Sequence, residues 1–295
     1  MRVRKAGAGS VTLAYETFGD EGRPPVLLVM GLGAQMVGWH TDFCEALADG
    51  RYVVRFDNRD VGESQWLEGS VDLGACAAGD TSSAVYTLED MADDTVGLLD
   101  VLGLDSAHIV GASMGGMIAQ TVAIRHPQRV RSLTSIMSTT GEPGIAEPTE
   151  AALAVLTSPP AANRDEAMER ALEANAVIGS PGFRRNEQDI RERAAQAWDR
   201  GVNADGFLRQ VAAVYASGDR TEALREIHVD TLVVHGEDDP LVPLPAGRAT
   251  AAAIPGAELW TVPGMGHDIP RPLWPDLIAR IGALIDHADG VPAAQ

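Results

Sequence analysis

At 295 residues with 45% hydrophobic side chains, the chain is long enough to bury one large core, which is typical of an α/β domain carrying an insertion. Its formal charge of −19 argues against nucleic acid and anionic membranes as partners. Both bind through cationic side chains that neutralise phosphate. The two cysteines, Cys44 and Cys76, lie in unrelated contexts and predict neither a disulfide framework nor a zinc site.

Charged residues interrupt the first thirty positions. Asp20, Glu21 and Arg23 fall inside any window long enough to be a signal peptide or a membrane span. We therefore expect a cytoplasmic protein.

Short apolar runs recur along the chain and predict β-strands. They are VTLAY (11–15), PVLLVMG (25–31), YVVRFD (52–57), AHIVGAS (107–113), VRSLTSIMS (130–138), TLVVHGEDD (231–239) and AELWTVPG (257–264). Helical patterns separate several of these runs, at 87–103, 114–127, 243–254 and 272–288. Apolar strands that alternate with helices indicate a mostly parallel central sheet with helices on both faces.

The alternation breaks between residues 139 and 225, where helical patterns continue without a convincing strand. We predict a helical cap, or lid, inserted at 139–225 into a core domain formed by residues 1–138 and 226–295. The alternative is that these helices only cover the core and do not move. Residues 67–86 are rich in Gly, Ala and Ser and too long for a simple turn, which predicts a mobile or site-lining loop.

The stretch Gly111-Ala112-Ser113-Met114-Gly115 matches the pattern G-x-S-x-G and lies between a predicted strand and a predicted helix. Ser113 is therefore the candidate nucleophile. A side chain at either glycine would collide with backbone where the chain reverses, so the glycines permit the turn that exposes the serine hydroxyl. The helix that begins at Met114 directs free backbone N–H groups to the same point, where negative charge develops during acyl transfer.

A serine hydroxyl needs a histidine base and an acid that orients the histidine. Of the seven histidines, His267 alone combines a glycine-rich loop after the last predicted strand, PGMGHDIP, with the chain order serine, acid, histidine. The other six fit structural or surface positions. The acid is expected at the end of the preceding strand, where HGEDDPLVP offers Glu237, Asp238 and Asp239.

These segments resemble the α/β-hydrolase family over most of the chain. PVLLVMGLG looks like the strand and oxyanion loop of the family, and FDNRDVGES (56–64) matches its D-x-R-x-x-G-x-S turn. The family places its acid in G-x-x-D with a proline four residues later, and Gly236, Asp239 and Pro243 match that spacing. The resemblance thus implies Asp239 as the acid, with Asp238 as the alternative.

In this family two backbone N–H groups hold the oxyanion, and the matching motifs imply those of Leu32 and Met114. The loop reads Met30-Gly31 where the family commonly has His-Gly. Together with DNRDVGES and PGMGH, this loop is similar to that of a bacterial branch of carboxylesterases that includes aclacinomycin methylesterase. Asp57 and Arg59 of the DNRD turn are expected to have a structural role.

The residues and the resemblance together predict a serine hydrolase that cleaves a carboxylic ester through an acyl-enzyme, without a metal or another cofactor. Candidate substrate-binding residues are Gly31, Met30, Met137 and Trp198. Apolar walls of this kind favour a hydrophobic ester, a methyl ester or a lactone of a small molecule. Two alternatives stay open: a cofactor-free perhydrolase, in which peroxide replaces water, and a ligand-binding receptor on a hydrolase scaffold.

Overall fold

One central sheet organises the molecule. A computed structural model describes residues 3–291, and this part of the chain forms eight strands: β1 (Arg4–Ala8), β2 (Val11–Phe18), β3 (Pro25–Val29), β4 (Tyr52–Phe56), β5 (Ala107–Ala112), β6 (Val130–Ile136), β7 (Asp230–Gly236) and β8 (Glu258–Val262). Their order across the sheet is β1-β2-β4-β3-β5-β6-β7-β8. β2 is antiparallel to both of its neighbours, and β3 to β8 pair in parallel.

Helices surround the sheet. They are α1 (Thr41–Leu47), α2 (Leu73–Ala77), α3 (Leu88–Val101), α4 (Met114–Arg125), α5 (Glu150–Leu156), α6 (Arg164–Ile178), α7 (Glu187–Arg200), α8 (Ala204–Ser217), α9 (Thr221–Leu224), α10 (Leu244–Ala253) and α11 (Trp274–Ala288). Across residues 3–291, no helix has both the length and the apolar character that a membrane crossing requires.

Each central strand contributes to two apolar cores, because successive side chains point to opposite faces of a sheet. In β3, Val26 and Leu28 join the core under α1 and α11, whereas Leu27 and Val29 join the core under α3 and α4. This two-sided burial explains why the strands read as continuous apolar runs. The prediction of a mostly parallel sheet with helices on both faces is confirmed.

Two elements depart from the sequence-based expectations. β1 reads RKAGA, which contains no apolar run, and it forms because it pairs with β2 in a register that runs from Arg4–Tyr15 to Ala8–Val11. α1 has seven residues, too few for a helical period to stand out, and His40 caps it by accepting a hydrogen bond from the Asp42 N–H at 3.0 Å. β1 therefore depends on pairing with β2, and the start of α1 depends on its cap at His40.

The chain between β6 and β7 forms helices α5 to α9. We call residues 139–225 the helical insertion. Its helices α6 and α7 pack against each other, and α8 packs on α2 and α3, which lie outside the insertion. Its separation as a cap domain from a core of residues 1–138 and 226–295 stays a prediction.

Buried carboxylates in the turn after β4 hold the helical insertion on the sheet. Asp60 is completely buried and accepts two hydrogen bonds at 2.9 Å from Arg209 of α8. Asp57 accepts hydrogen bonds from the Met36 N–H at 2.7 Å and from Arg200 of α7. Burial raises the pKa of Asp57, and the Arg200 charge opposes that shift. These contacts agree with the structural role expected for the turn.

A sharp turn with a strained backbone connects β5 to α4. Ser113 adopts φ 56° and ψ −122°, a positive φ that costs a residue with a side chain about 1–3 kcal/mol. A Cβ on Gly111 would lie 2.1 Å from the Gly115 carbonyl oxygen, and one on Gly115 would lie 2.2 Å from the Val29 carbonyl oxygen. Both positions therefore require glycine, and the turn presents the Ser113 side chain at the carboxyl end of β5.

Replacing Gly111 by alanine tests this close approach. Gly111→Ala is expected to lower the free energy of unfolding by about 3 kcal/mol, because the new methyl group must displace backbone. Urea denaturation measures the loss. Gly22→Ala is the matched control, since a Cβ there meets no atom within 4 Å of the described structure. Equal effects of the two substitutions would contradict the packing argument.

Arg209→Ala tests the contribution of the buried ion pair. The substitution leaves the Asp60 carboxylate buried without its arginine, and we expect a loss of about 3–5 kcal/mol in the free energy of unfolding. Arg164→Ala is the control, because it breaks an exposed ion pair with Asp199 in the same insertion and should change stability little. A loss from Arg209→Ala no larger than that of the control would show that Asp60 does not depend on Arg209.

Candidate active site

The strand order places a crevice at the carboxyl ends of β3 and β5. From β3, the chain moves to β4 on one side, whereas β5 and the later strands lie on the other side. Ligands bind at such a reversal in open parallel sheets, because the loops after the two strands separate there. The loop with Met30 and Gly31 follows β3, and Ser113 follows β5. The sheet therefore brings the two predicted parts of the site together.

Two hydrogen bonds connect the three predicted side chains. The His267 Nε2 atom lies 3.0 Å from Ser113 Oγ, and its Nδ1 atom lies 2.7 Å from Asp239 Oδ2. The Asp239 side chain is completely buried, and that of His267 is 7% exposed. Asp238, the alternative acid, instead accepts a hydrogen bond from the Gly264 N–H at 2.9 Å. Of the two candidates, Asp239 is the one in contact with the histidine.

The turn after β7 fixes the Asp239 carboxylate. Its Oδ1 atom accepts hydrogen bonds from the N–H groups of Leu241 and Val242, each at 2.9 Å. Behind this turn, the His235 Nε2 atom lies 2.7 Å from the Val242 carbonyl oxygen. Because a carbonyl oxygen only accepts, Nε2 is the donor in this hydrogen bond, and burial lowers the pKa of His235, which favours the neutral ring. His235 therefore supports the turn that carries the acid.

The loop after β3 lies directly against the serine. A Cβ on Gly31 would be 3.0 Å from Ser113 Cβ and 3.5 Å from Ser113 Oγ. The start of α4 contacts the same strand end, since Gly115 approaches the carbonyl oxygens of Val29 and Met30. The loop that carries Leu32 and the helix that begins at Met114 thus both adjoin Ser113. The oxyanion role of their N–H groups stays a prediction.

A cavity of about 700 Å³ opens at His267. Met30 and Met137, two of the predicted substrate-binding residues, line it. Further apolar and aromatic walls come from Trp39, Phe43, Phe183, Ile190, Ile269 and Trp274. Four arginines also line the cavity, at 184, 185, 193 and 271. Three aspartates, at 189, 238 and 268, line it as well, so the cavity combines an apolar wall with charged groups of both signs.

Two of the predicted substrate-binding residues, Trp198 and Gly31, and the predicted loop at 67–86 do not line this cavity. Helix α7 turns the face with Asn186, Ile190 and Arg193 toward the cavity, and Trp198 lies about 110° around the helix from the middle of that face. Gly31 is not a lining residue either, although it contacts Ser113. Residues 67–86 contain α2 and do not line the cavity. The sequence does not single out the lining residues Asn175, Ser180 and Asp268: the first two lie outside any recognised motif, and Asp268 follows His267 without a role of its own in the motif.

A second group of serine, histidine and aspartate lies at the opposite end of β5. The His108 Nδ1 atom is 2.8 Å from Ser132 Oγ, and its Nε2 atom is 3.3 Å from Asp289 Oδ1. Ser132 is 1% exposed and His108 is fully buried, and burial lowers the pKa of His108 to about 4. This group has no access to a substrate, so the candidate site is the one at Ser113.

Comparison with known proteins supports the same family. The family model described as "alpha/beta hydrolase fold" matches residues 24–270. Rhodomycin D methylesterase DauP of Streptomyces sp. (strain C5) is 28% identical over 303 residues, which cover 96% of this chain and 98% of that protein.

Two solved structures have the same fold. The enol-lactonase from Burkholderia xenovorans LB400 aligns with a TM-score of 0.75 at 21% identity, over 96% of this chain and 99% of that one. A thermophilic esterase from Thermogutta terrifontis aligns with a TM-score of 0.70 at 25% identity, over 99% of each chain. The resemblance that the sequence motifs indicate is confirmed, and the chain belongs to the α/β-hydrolase fold family.

Proposed function

We propose that this protein hydrolyses a carboxylic ester, with Ser113 as the nucleophile, His267 as the general base and Asp239 as the acid that orients the histidine. The observation that carries the proposal is the continuous hydrogen-bond chain from Ser113 Oγ through the imidazole to Asp239, with distances of 3.0 Å and 2.7 Å. Because the carboxylate faces Nδ1, that nitrogen carries the proton and Nε2 is free to accept one.

In the first half of the proposed reaction, Ser113 Oγ attacks the ester carbonyl while its proton moves to His267 Nε2. The resulting oxyanion accepts hydrogen bonds from the N–H groups of Leu32 and Met114. His267 then gives its proton to the departing alkoxide, the bond between the carbonyl carbon and that oxygen breaks, and the alcohol leaves. The acyl group stays on Ser113 as an ester.

In the second half, water replaces the alcohol. His267 Nε2 takes a proton from water as its oxygen attacks the acyl-enzyme carbonyl, and the same two N–H groups hold the new oxyanion. The bond to Ser113 Oγ then breaks, and His267 returns the proton to that oxygen. The carboxylic acid leaves, and the enzyme regains its starting state.

The cavity supports a small-molecule substrate of moderate size. Its volume of about 700 Å³ falls within the range of ligand sites, and Met30 and Met137 supply an apolar wall beside His267. A relative that covers nearly the whole chain is named as a methylesterase. We therefore expect a hydrophobic ester, with methyl esters and lactones as the first substrates to test.

Ser113→Ala tests the proposed nucleophile directly. On a panel of aryl, methyl and lactone substrates of increasing acyl size, we expect kcat to fall at least about 10³-fold, because no other group can form the acyl-enzyme. Ser132→Ala is the matched control, since Ser132 also contacts a histidine but lies in the buried group at the other end of β5. A fluorophosphonate probe should label Ser113, as read by mass spectrometry.

Three outcomes would contradict parts of the proposal. Wild-type turnover by Ser113→Ala, or labelling at another residue, would remove Ser113 as the nucleophile. Peracid formation that exceeds hydrolysis when peroxide is supplied would favour the perhydrolase alternative. A single slow turnover with retained product would favour a receptor.

A further inference from the structure

The end of helix α6 holds the backbone of the loop that carries His267. The last four carbonyl groups of a helix have no partner inside it. The His267 N–H donates to one of them, that of Ile178, at 2.6 Å. Two residues later, Ser180 Oγ accepts a hydrogen bond from the Gly266 N–H at 3.0 Å. The helical insertion therefore contacts the main chain of the proposed base itself.

The two backbones also touch. A Cβ on Gly182 would lie 2.5 Å from Gly264 Cα, and the Gly182 N–H donates to the Gly264 carbonyl oxygen at 2.9 Å. No side chain fits between the segments at this point. The contact is close enough for the position of one segment to determine that of the other.

Asp268 connects the same two segments through its side chain. Its Oδ2 atom accepts a hydrogen bond from Asn175 Nδ2 at 2.9 Å, and its Oδ1 atom accepts one from the Ser180 hydroxyl. Ser180 thus accepts from the Gly266 N–H and donates to Asp268, which gives a continuous chain around the histidine. Both donors to the carboxylate are neutral groups of the helical insertion.

We propose that Asp268 is a positioning residue for His267, and that the helical insertion sets the place of the histidine through Ser180 and Asn175. The proposal rests on the function proposed above for Ser113 and His267. The loop reads PGMGHDIP, and its glycines give it little intrinsic stiffness, so contacts from outside must fix the imidazole. The end of α6 then cannot move away from the sheet without displacing His267.

Ser180→Ala and Asp268→Ala test the proposal on a small aryl ester. Both remove the hydrogen-bond chain, and we expect kcat to fall at least about tenfold with KM changed less than about twofold, because small displacements of a reacting group reduce the rate steeply. Asp268→Asn keeps an acceptor oxygen for the Ser180 hydroxyl, and its NH2 group can donate to the Asn175 side-chain oxygen once that amide rotates by 180°, so it should restore kcat to within about threefold of wild type. A merely structural role would not lower kcat while leaving KM nearly unchanged, and it would not give this rescue by Asp268→Asn.

Two controls lie in the same insertion and do not contact the histidine loop. Ser158→Ala removes a hydroxyl that lies just after α5 and donates to the Ala154 carbonyl oxygen of that helix at 2.7 Å. Asp199→Asn weakens an exposed ion pair with Arg164. Both should keep wild-type kcat and KM. Asn175→Ala is the second test variant in case Ser180→Ala fails to fold, and it should also lower kcat while the protein stays folded, as checked by its thermal midpoint.

The rate at which a fluorophosphonate labels Ser113 gives a second readout that needs no ester substrate. It should fall in Ser180→Ala and Asp268→Ala together with kcat. If these folded variants turn over and label at wild-type rates while Ser113→Ala is inactive, the positioning role is overturned and the proposed function stands. If Ser113→Ala is active and the fluorophosphonate does not label Ser113 in the wild-type protein, the proposed function is itself wrong.

Discussion

The site depends on one backbone constraint, the reversal of the chain at Ser113 within a single residue of positive φ. The reversal is possible only because Gly111 and Gly115 approach each other's backbone and that of β3 without side chains. It presents a hydroxyl at the end of a buried strand, and it starts helix α4 beside the loop after β3. Every other proposed component of the reaction is arranged around that fixed point.

The helical insertion is attached to the sheet by two chemically different sets of contacts. On the side of α7 and α8, buried ion pairs join Arg200 and Arg209 to the carboxylates of the turn after β4. On the side of α6, neutral donors and backbone groups contact the histidine loop. The ion pairs are costly to break once desolvated, whereas each hydrogen bond from a neutral donor contributes less. The first set thus attaches α7 and α8 to the sheet. The second joins the end of α6 to the histidine loop.

The sequence predicts what short motifs determine. The G-x-S-x-G turn, the histidine loop and the acid turn each fit within a few residues, so Ser113, His267 and Asp239 could be proposed and their hydrogen bonds expected. Asp268 could not be singled out, because its partners are 88 and 93 residues away along the chain. That Trp198 lies outside the cavity lining could not be predicted for a related reason, because tertiary packing sets the rotation of a helix and composition does not reveal it.

The contact between Gly182 and Gly264 has a consequence for how such enzymes diversify. A helical insertion is often regarded as a module that can be exchanged to change specificity while the chemistry stays constant. Here the inserted segment and the base-carrying loop meet without room for a methyl group, so a foreign insertion of different length or composition would meet a loop shaped for another partner. Productive exchange would require both segments to be inherited as a pair.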